Sequence, residues 1–379
     1  DYYIRKLLFF NCLIVVIAFL SGHILFSATV NAFISIINVY VEKSLKRQTI
    51  KRIFLISNMY PSEKYPFCGT FVKNTENILH LNGYSTTMKA VITKPNSSKI
   101  KKIKTYLEFY VDIIKGITKV DEYDMIYVHF ISHSSIPVIL LKLIVDKPLV
   151  LNTHGSDVFL KGRLVRIFKI FNFLVTRLAE KVVVPSEFFK DVVIQKLGVP
   201  PERIIVYPSG GINTKIFKYK EKDLSDNRTI VLGFVSRMIY PKGCHVFVEI
   251  IRKLTEILSP TKDVKGIMIG DGEDKERCLQ LINNYDLSEK IEYLGALPQK
   301  KVGYYCSKFD LFIFPTRLNE SLGLVGIEAM ACGTPVVASA VGGIKTYIKH
   351  GQNGYLVEID DIDGFVKAVC NYMNLSQEE

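Results

Sequence analysis

Two hydrophobic patterns divide the chain. Between Leu7 and Val41 there are 35 residues without Asp, Glu, Lys or Arg. After Ile50 the apolar residues fall into short β-branched runs separated by amphipathic stretches. About 20 apolar residues span a bilayer, and Leu7–Phe26 fits that length, interrupted at Ser21, Gly22 and His23. Beyond it Ser27, Asn31, Ser35, Asn38 and Glu42 recur at helical spacing, a polar stripe that suits an interfacial helix or a packed second span. Arg5 and Lys6 precede the run, whereas Lys43, Lys46, Arg47, Lys51 and Arg52 follow it. The heavier basic flank is C-terminal, which predicts a cytoplasmic-face location for everything downstream. A cleaved signal has a shorter apolar region ending in small residues. Residues 1–49 therefore read as a membrane-type helical anchor with a basic flank.

The later runs include Ile53–Ser57, Met125–His129, Leu149–Asn152, Lys181–Pro185, Ile204–Tyr207, Ile230–Phe234, Val264–Ile269, Ile291–Tyr293, Leu311–Phe314, Pro335–Ala338 and Tyr355–Val357. Most are continuously apolar, as in parallel strands covered on both faces. Helical patterns lie between them, such as Phe71–Asn82, Arg163–Ala179, Cys244–Leu258 and Leu324–Cys332. The alternation predicts an α/β protein with doubly wound sheets. The polar stretch 214–228 interrupts it and is the expected linker. Two Rossmann-like domains, 50–213 and 229–379, would face each other across a cleft.

Composition narrows the partners. The 379 residues carry 49 basic and 37 acidic side chains, a net charge of +12. Phosphate, a membrane surface and nucleic acid are all admitted by that charge. No nucleic-acid reader module is recognisable, so nucleic acid is set aside. A mean hydropathy of +0.20 excludes a disordered chain. The seven Cys are odd in number and lack a Cys-x-x-Cys, which suggests neither a disulfide framework nor a zinc site.

Four loops concentrate the chemistry. In Gly233–Gly243, Arg237 and Lys242 are two cations after the first strand of the second domain, a suitable clamp for a diphosphate. In Glu320–Glu328 a strand passes into a helix. There Ser321, Leu322, Gly323 and Leu324 lead into the helix N-terminus, where backbone N–H groups favour an anion. Glu320 and Glu328 are carboxylates that can each accept two sugar hydroxyls. In Asn152–Asp157, His154 and Asp157 follow a strand of the first domain. Gly69 and Thr70 lie in another strand-to-helix loop. His129 and His133 read as packing or cleft-lining residues.

In order along the chain stand Tyr60-Pro with Gly69-Thr-Phe, His154-Gly-Ser-Asp157, Val184-Pro-Ser186, Val206-Tyr-Pro-Ser-Gly-Gly-Ile-Asn213, Ser236-Arg with Lys242-Gly, Gly270-Asp-Gly-Glu273, Glu320 with Glu328, Cys332-Gly-Thr-Pro-Val336 and Gly342-Gly343. This ordered set, from about Ile50 to Val357, resembles the retaining glycosyltransferases of family four, which have the GT-B fold. The resemblance implies that Arg237 and Lys242 hold the donor diphosphate. It implies that Glu328 binds the nucleotide ribose, and that Glu320 with the following backbone contacts the donor sugar. Gly270 borders the donor. His154 would sit by the reacting carbon. Gly69, Thr70 and Asp157 would line the acceptor side, and Gly210 and Gly211 the interdomain crossover. His154, Glu320, Arg237 and Lys242 are thus the expected catalytic set.

The implied reaction transfers a hexosyl group from a UDP- or GDP-linked sugar to a hydroxyl, with retention. No cofactor is implied beyond the nucleotide-sugar donor. The one Asp-x-Asp, Asp361-Ile-Asp363, lies apart from the four loops, so no metal is expected and cationic side chains would take its part. The anchor and two basic stretches, Lys94–Lys104 and Arg163–Lys181, suggest a lipid-linked or polysaccharide acceptor and contact with anionic lipid. Two departures stand out. Ile344-Lys345-Thr346 replaces the family's Ile-Pro-Glu, and the chain stops short of the family's returning C-terminal helix. With Asp1 in place of Met, truncation at both ends is expected. A nucleotide-sugar epimerase is disfavoured by the family-four segments. A catalytically silent GT-B scaffold is the alternative, but it predicts an eroded cleft.

Overall fold

A computed structural model of the chain describes residues 51–374, apart from 66–67, 94–97, 160–164, 222–228 and 260. The expected anchor over 1–49 lies outside the described residues. Among the described residues, no helix is long and apolar enough to cross a membrane.

The first domain strings together β1 (Arg52–Ser57), α1 (Thr70–Leu81), β2 (Ser85–Val91), α2 (Lys99–Ile114), β3 (Met125–His129), α3 (Ile131–Ile144), β4 (Leu149–Asn152), α4 (Val165–Leu178), β5 (Lys181–Val184), α5 (Glu187–Leu197) and β6 (Ile204–Val206). The strands form one parallel sheet in the order β2-β1-β3-β4-β5-β6. β1 shows why the strand runs are continuously apolar. Phe54 and Ile56 enter the large core under one face, while Ile53 and Leu55 pack with Val72, Tyr127 and Val183 on the other. Strand β2 lies at the sheet edge, and its exposed and covered residues alternate. It therefore has no continuous apolar run to mark it.

The second domain runs through β7 (Thr229–Val235), α6 (Cys244–Leu258), β8 (Asp263–Ile269), α7 (Lys275–Asn284), β9 (Ile291–Tyr293), α8 (Gln299–Cys306), β10 (Leu311–Phe314), α9 (Leu324–Ala331), β11 (Val336–Ser339), β12 (Gly354–Val357) and α10 (Ile362–Met373). Its parallel sheet has the order β12-β11-β10-β7-β8-β9. Phe217, ahead of β7, is buried with Val302, Cys306 and Phe309 in the core of this domain.

Strand order reverses direction beside β1 and β3 in the first sheet, and beside β7 and β10 in the second. Open parallel sheets bind ligands in the crevice at such switch points, beyond the carboxyl ends of the strands. The loops singled out in the sequence leave the sheets there: 58–69 after β1, 236–243 after β7 and 315–323 after β10.

Candidate active site

The turn after β7 is laced to the loop after β8. Ser236 N–H donates to Ile269 O at 3.0 Å, Met238 N–H to Asp271 O at 3.0 Å and Tyr240 N–H to Asp274 Oδ2 at 2.6 Å. Gly270 permits this approach, because a Cβ there would stand 1.7 Å from Ser236 O, and its φ is +140°. The Tyr240 ring stacks on His245 at 4.3 Å, and the Arg317 guanidinium lies 4.3 Å from the same ring. These contacts fix the short turn Tyr240–Lys242. Lys242 Nζ meets Glu320 Oε1 at 2.6 Å, and Thr316 Oγ1 donates to the same oxygen at 2.9 Å. Both charged side chains are largely covered, at 15% and 14% exposure, so the pair is only weakly screened. Arg237 is exposed and has no ion pair among the described residues.

Gly323 caps α9 with φ 82°, and its carbonyl accepts from Tyr347 Oη at 3.0 Å. Leu322 is buried, which anchors the loop while the helix start stays in the crevice. Glu320 O accepts from Gly343 N–H at 2.7 Å. The Gly342–Thr346 turn is thereby held to the Glu320 loop, and Thr346 Oγ1 donates to Gly343 O at 2.5 Å. Glu328 lies one turn further along α9. Burial lifts its carboxyl to about 7, against a hydrogen bond from Gln299 that favours the ionised form.

On the first domain, His154 Nε2 and His129 Nδ1 are 2.9 Å apart. The two rings are nearly coplanar, 9° between planes with centroids 5.1 Å apart. That separation is close to the N–N distance plus the two ring radii, so the imidazoles lie end to end rather than face to face. Phe71 and Phe130 flank His154 at 4.6 and 4.7 Å. Burial lowers His154 to about 3. Burial and the charge of His154 hold His129 far below the usual histidine range. Both rings are therefore neutral at physiological pH. His129 is fully buried, and its Nε2 has no partner among the described residues. An orphaned buried N–H is rarer than an orphaned acceptor. His129 thus carries its proton on Nδ1 and donates to His154 Nε2, which assigns the Nδ1–H tautomer to His154.

Asp157 is placed differently from the cleft-lining position expected. It is 1% exposed, and its oxygens accept from the backbone N–H groups of His154, Gly155 and Ile131 at 3.0, 2.9 and 3.2 Å. It braces the His154 loop from beneath: three convergent backbone donors favour its carboxylate, although burial outweighs them and raises its pKa. His133 packs between Tyr106 and Phe168. Gly69 opens α1 hard against Met59, where a Cβ would stand 2.6 Å from Met59 O, and Thr70 is the first residue of that helix. Gly210 presses on α1, with Phe71 O 2.7 Å from an added Cβ, whereas Gly211 borders open space.

The two halves meet at Ser321. Its Oγ donates to His154 O at 2.9 Å, and its own carbonyl accepts from Ser186 Oγ at 2.5 Å. Gly155 makes room, since a Cβ there would touch Ser321 at 3.3 Å. His154 is thereby tied to the loop that carries Glu320. Ser186 was visible only as the last residue of the Val184-Pro-Ser186 segment, and nothing local in the sequence marks its contact across the crevice.

Known proteins resemble the chain in sequence and in fold. The family model described as "Glycosyl transferases group 1" matches residues 215–379, and "Glycosyltransferase Family 4" matches 82–214. An uncharacterized glycosyltransferase of Methanocaldococcus jannaschii is 25% identical over 335 residues, 85% of this chain and 90% of its own length. The N-acetyl-alpha-D-glucosaminyl L-malate synthase of Bacillus anthracis is 34% identical over 146 residues, 38% of this chain and 36% of that enzyme. The fold is similar to that of Anabaena HepE in complex with UDP and glucose, with a TM-score of 0.64 and 20% identity over 87% of this chain and 91% of that one. The two matched regions adjoin and together run from residue 82 to the last residue, so the chain belongs to the family-four, group 1 glycosyltransferases and has their GT-B fold.

Proposed function

We propose that the protein transfers a hexosyl group, with retention, from a UDP- or GDP-linked sugar to a hydroxyl of a lipid-linked or polysaccharide acceptor. The observation that carries this reading is the Lys242–Glu320 pair at the switch point, which joins the loop bearing Arg237 to the loop that opens α9 and is tied through Ser321 to His154. In the reaction the bond from the sugar C1 to the diphosphate oxygen breaks, and a bond from C1 to the acceptor oxygen forms on the same face. The acceptor proton passes to the departing phosphate. Arg237, Lys242 and the N–H groups at the start of α9 would stabilise the charge that develops there. A double displacement needs a second carboxylate beside the ring. Asp157 is unavailable for that role, since its oxygens are committed to backbone donors. A thermal-shift series with UDP-, GDP- and ADP-sugars, followed by NMR of the product's anomeric configuration, tests the proposal. An inverted product would refute it.

Two predictions concern individual groups. Ribose binding by Glu328 calls for its carboxylate, yet the unliganded group sits at about 7. Donor affinity should therefore rise with pH, with a limiting slope of about tenfold per unit below 7, and level off above 8. Glu328→Gln should bind donor weakly at every pH. Calorimetric titration between pH 5.5 and 8.5 checks this, and a flat wild-type profile would contradict it. The second concerns His129, which would position His154 without touching the substrate. His129→Leu should lower kcat by about 10- to 100-fold with donor KM unchanged. His129→Asn puts an amide N–H close to the Nδ1 position and should restore most of the rate. Equal Tm values with equal kcat would remove His129 from the account.

The acceptor side rests on surface character. Ile100, Ile103, Leu107 and Val111 are exposed along α2, and Ile167, Ile170 and Leu174 along α4. Lys101, Lys102, Lys104 and Lys169 are exposed on the same two helices. Apolar residues with interleaved lysines suit an anionic lipid surface, each basic residue contributing about 1 kcal/mol. Protein lacking residues 1–45 should float with anionic liposomes and stay behind with neutral ones. Failure to float with either would reject this role.

A further inference from the structure

We propose that Cys244 and Cys278 form a peroxide-reactive dithiol, a modification site beside the Lys242 turn. The two residues are distant in sequence, but Cys244 opens α6 and Cys278 lies in the first turns of α7. Both are buried, at 2% and 4% exposure, and unbridged. Both side chains pack in one core cluster, with Cys244 Sγ 4.0 Å from Ile239 O. Both line one cavity of about 380 Å³, shared with Tyr240, His245, Glu249 and Arg277, which is roomy enough for a small oxidant.

The pair is chemically asymmetric. Cys244 stands at the N-terminus of a 15-residue helix and beside the His245 imidazole, two features that stabilise a thiolate. The neighbouring Cys278 thiol, and then His245, lower Cys244 against the effect of burial, while Cys278 is itself raised by Cys244 and by burial. Cys244 is therefore the attacking sulfur and Cys278 the resolving one.

With a hydroperoxide as oxidant, the Cys244 thiolate attacks one peroxide oxygen. An S–O bond forms, the O–O bond breaks, and the hydroxide released takes up the proton that Cys244 had lost. Cys278 then attacks the sulfenic sulfur. An S–S bond forms, the S–O bond breaks, and water leaves with the Cys278 proton. With hydrogen peroxide, two thiols and one peroxide become one disulfide and two waters. Closing the bond draws the sulfurs to about 2 Å and ties the start of α6 to α7. Gly243 and Lys242 immediately precede that start, so the bridge would restrain the turn bearing the clamp.

The test uses the full chain and hydrogen peroxide, followed by N-ethylmaleimide, denaturation and non-reducing peptide mass spectrometry. The expected product is a Cys244–Cys278 cross-linked peptide, formed ahead of any change at the more exposed Cys68 and Cys370 and reversed by dithiothreitol. Cys278→Ser, checked for folding by circular dichroism, should leave Cys244 as a sulfenic acid trapped by dimedone. The proposal is overturned if both cysteines are recovered alkylated after Cys68 or Cys370 has oxidised, or if Cys244 bridges to another partner. Because the readout is the bridge itself, the result does not depend on whether the glycosyl-transfer reading holds.

Discussion

Lys242→Ala is expected to lower donor turnover by about 10²–10³-fold, the loss typical of one fixed donor aimed at developing negative charge. The ammonium is held in place before any ligand arrives, 2.6 Å from Glu320 and on a turn fixed by the Tyr240 stack. That arrangement has a cost and a benefit. A donor diphosphate bound as proposed would share Lys242 with Glu320, which would reduce ground-state affinity. As charge builds on the leaving phosphate, the balance shifts towards it, so the benefit is concentrated in the transition state. The variant should therefore lose more in kcat than in donor KM. Lys242→Arg should recover little, since a planar fork does not reproduce a point charge on a short turn. Steady-state kinetics at fixed acceptor concentration checks both. A variant defective only in KM would place Lys242 in uniform binding rather than in the chemical step.

Gly270→Ala is expected to be the most damaging small substitution in the donor half. A methyl group at this position would lie 1.7 Å from Ser236 O, a backbone atom in the turn that leads to Arg237. The backbone has φ +140°, which an L side chain rarely adopts. Strain and overpacking together should cost about 2–4 kcal/mol of stability. Relief of the clash must move Ser236, and with it Arg237, so donor binding should fall even at temperatures where the protein stays folded. Gly211 is a useful control: its φ is also positive, but an added Cβ has no neighbour within 4 Å. Gly211→Ala should show only the backbone strain. Chemical denaturation and donor titration on both variants separate the two effects.

The sheets were legible because parallel strands covered on both faces leave continuous apolar runs, as in Phe54–Ile56 and Leu311–Phe314. The edge strand β2 was not, since half of its residues face solvent. Among the candidate site residues, Arg237, Lys242, Glu320 and Gly323 stand out in the sequence because each lies in a strand-to-helix loop at a switch point, and Glu328 because it follows within the helix that such a loop opens. What escaped the sequence was pairwise. The Lys242–Glu320 ion pair, the His129–His154 hydrogen bond and the Ser186–Ser321 contact join segments far apart in the chain. Asp157 shows the converse. A carboxylate after a strand has the composition of a cleft residue, and only the three N–H groups converging on it reveal a structural one. The overlap of the cysteine pair with the Tyr240 turn also belongs to the fold alone.

The central claim is that the crevice formed by Arg237, Lys242, the α9 start and Glu328 holds a nucleoside diphosphate sugar. Its most direct test is calorimetric titration of the wild type, Lys242→Ala and Glu328→Ala with UDP, GDP and their sugars at pH 8. The account predicts saturable one-to-one binding of one nucleotide class by the wild type, weakened at least about tenfold in each variant, a difference of about 1.4 kcal/mol. Equal affinity in all three proteins would contradict it, as would wild-type protein that binds none of these ligands.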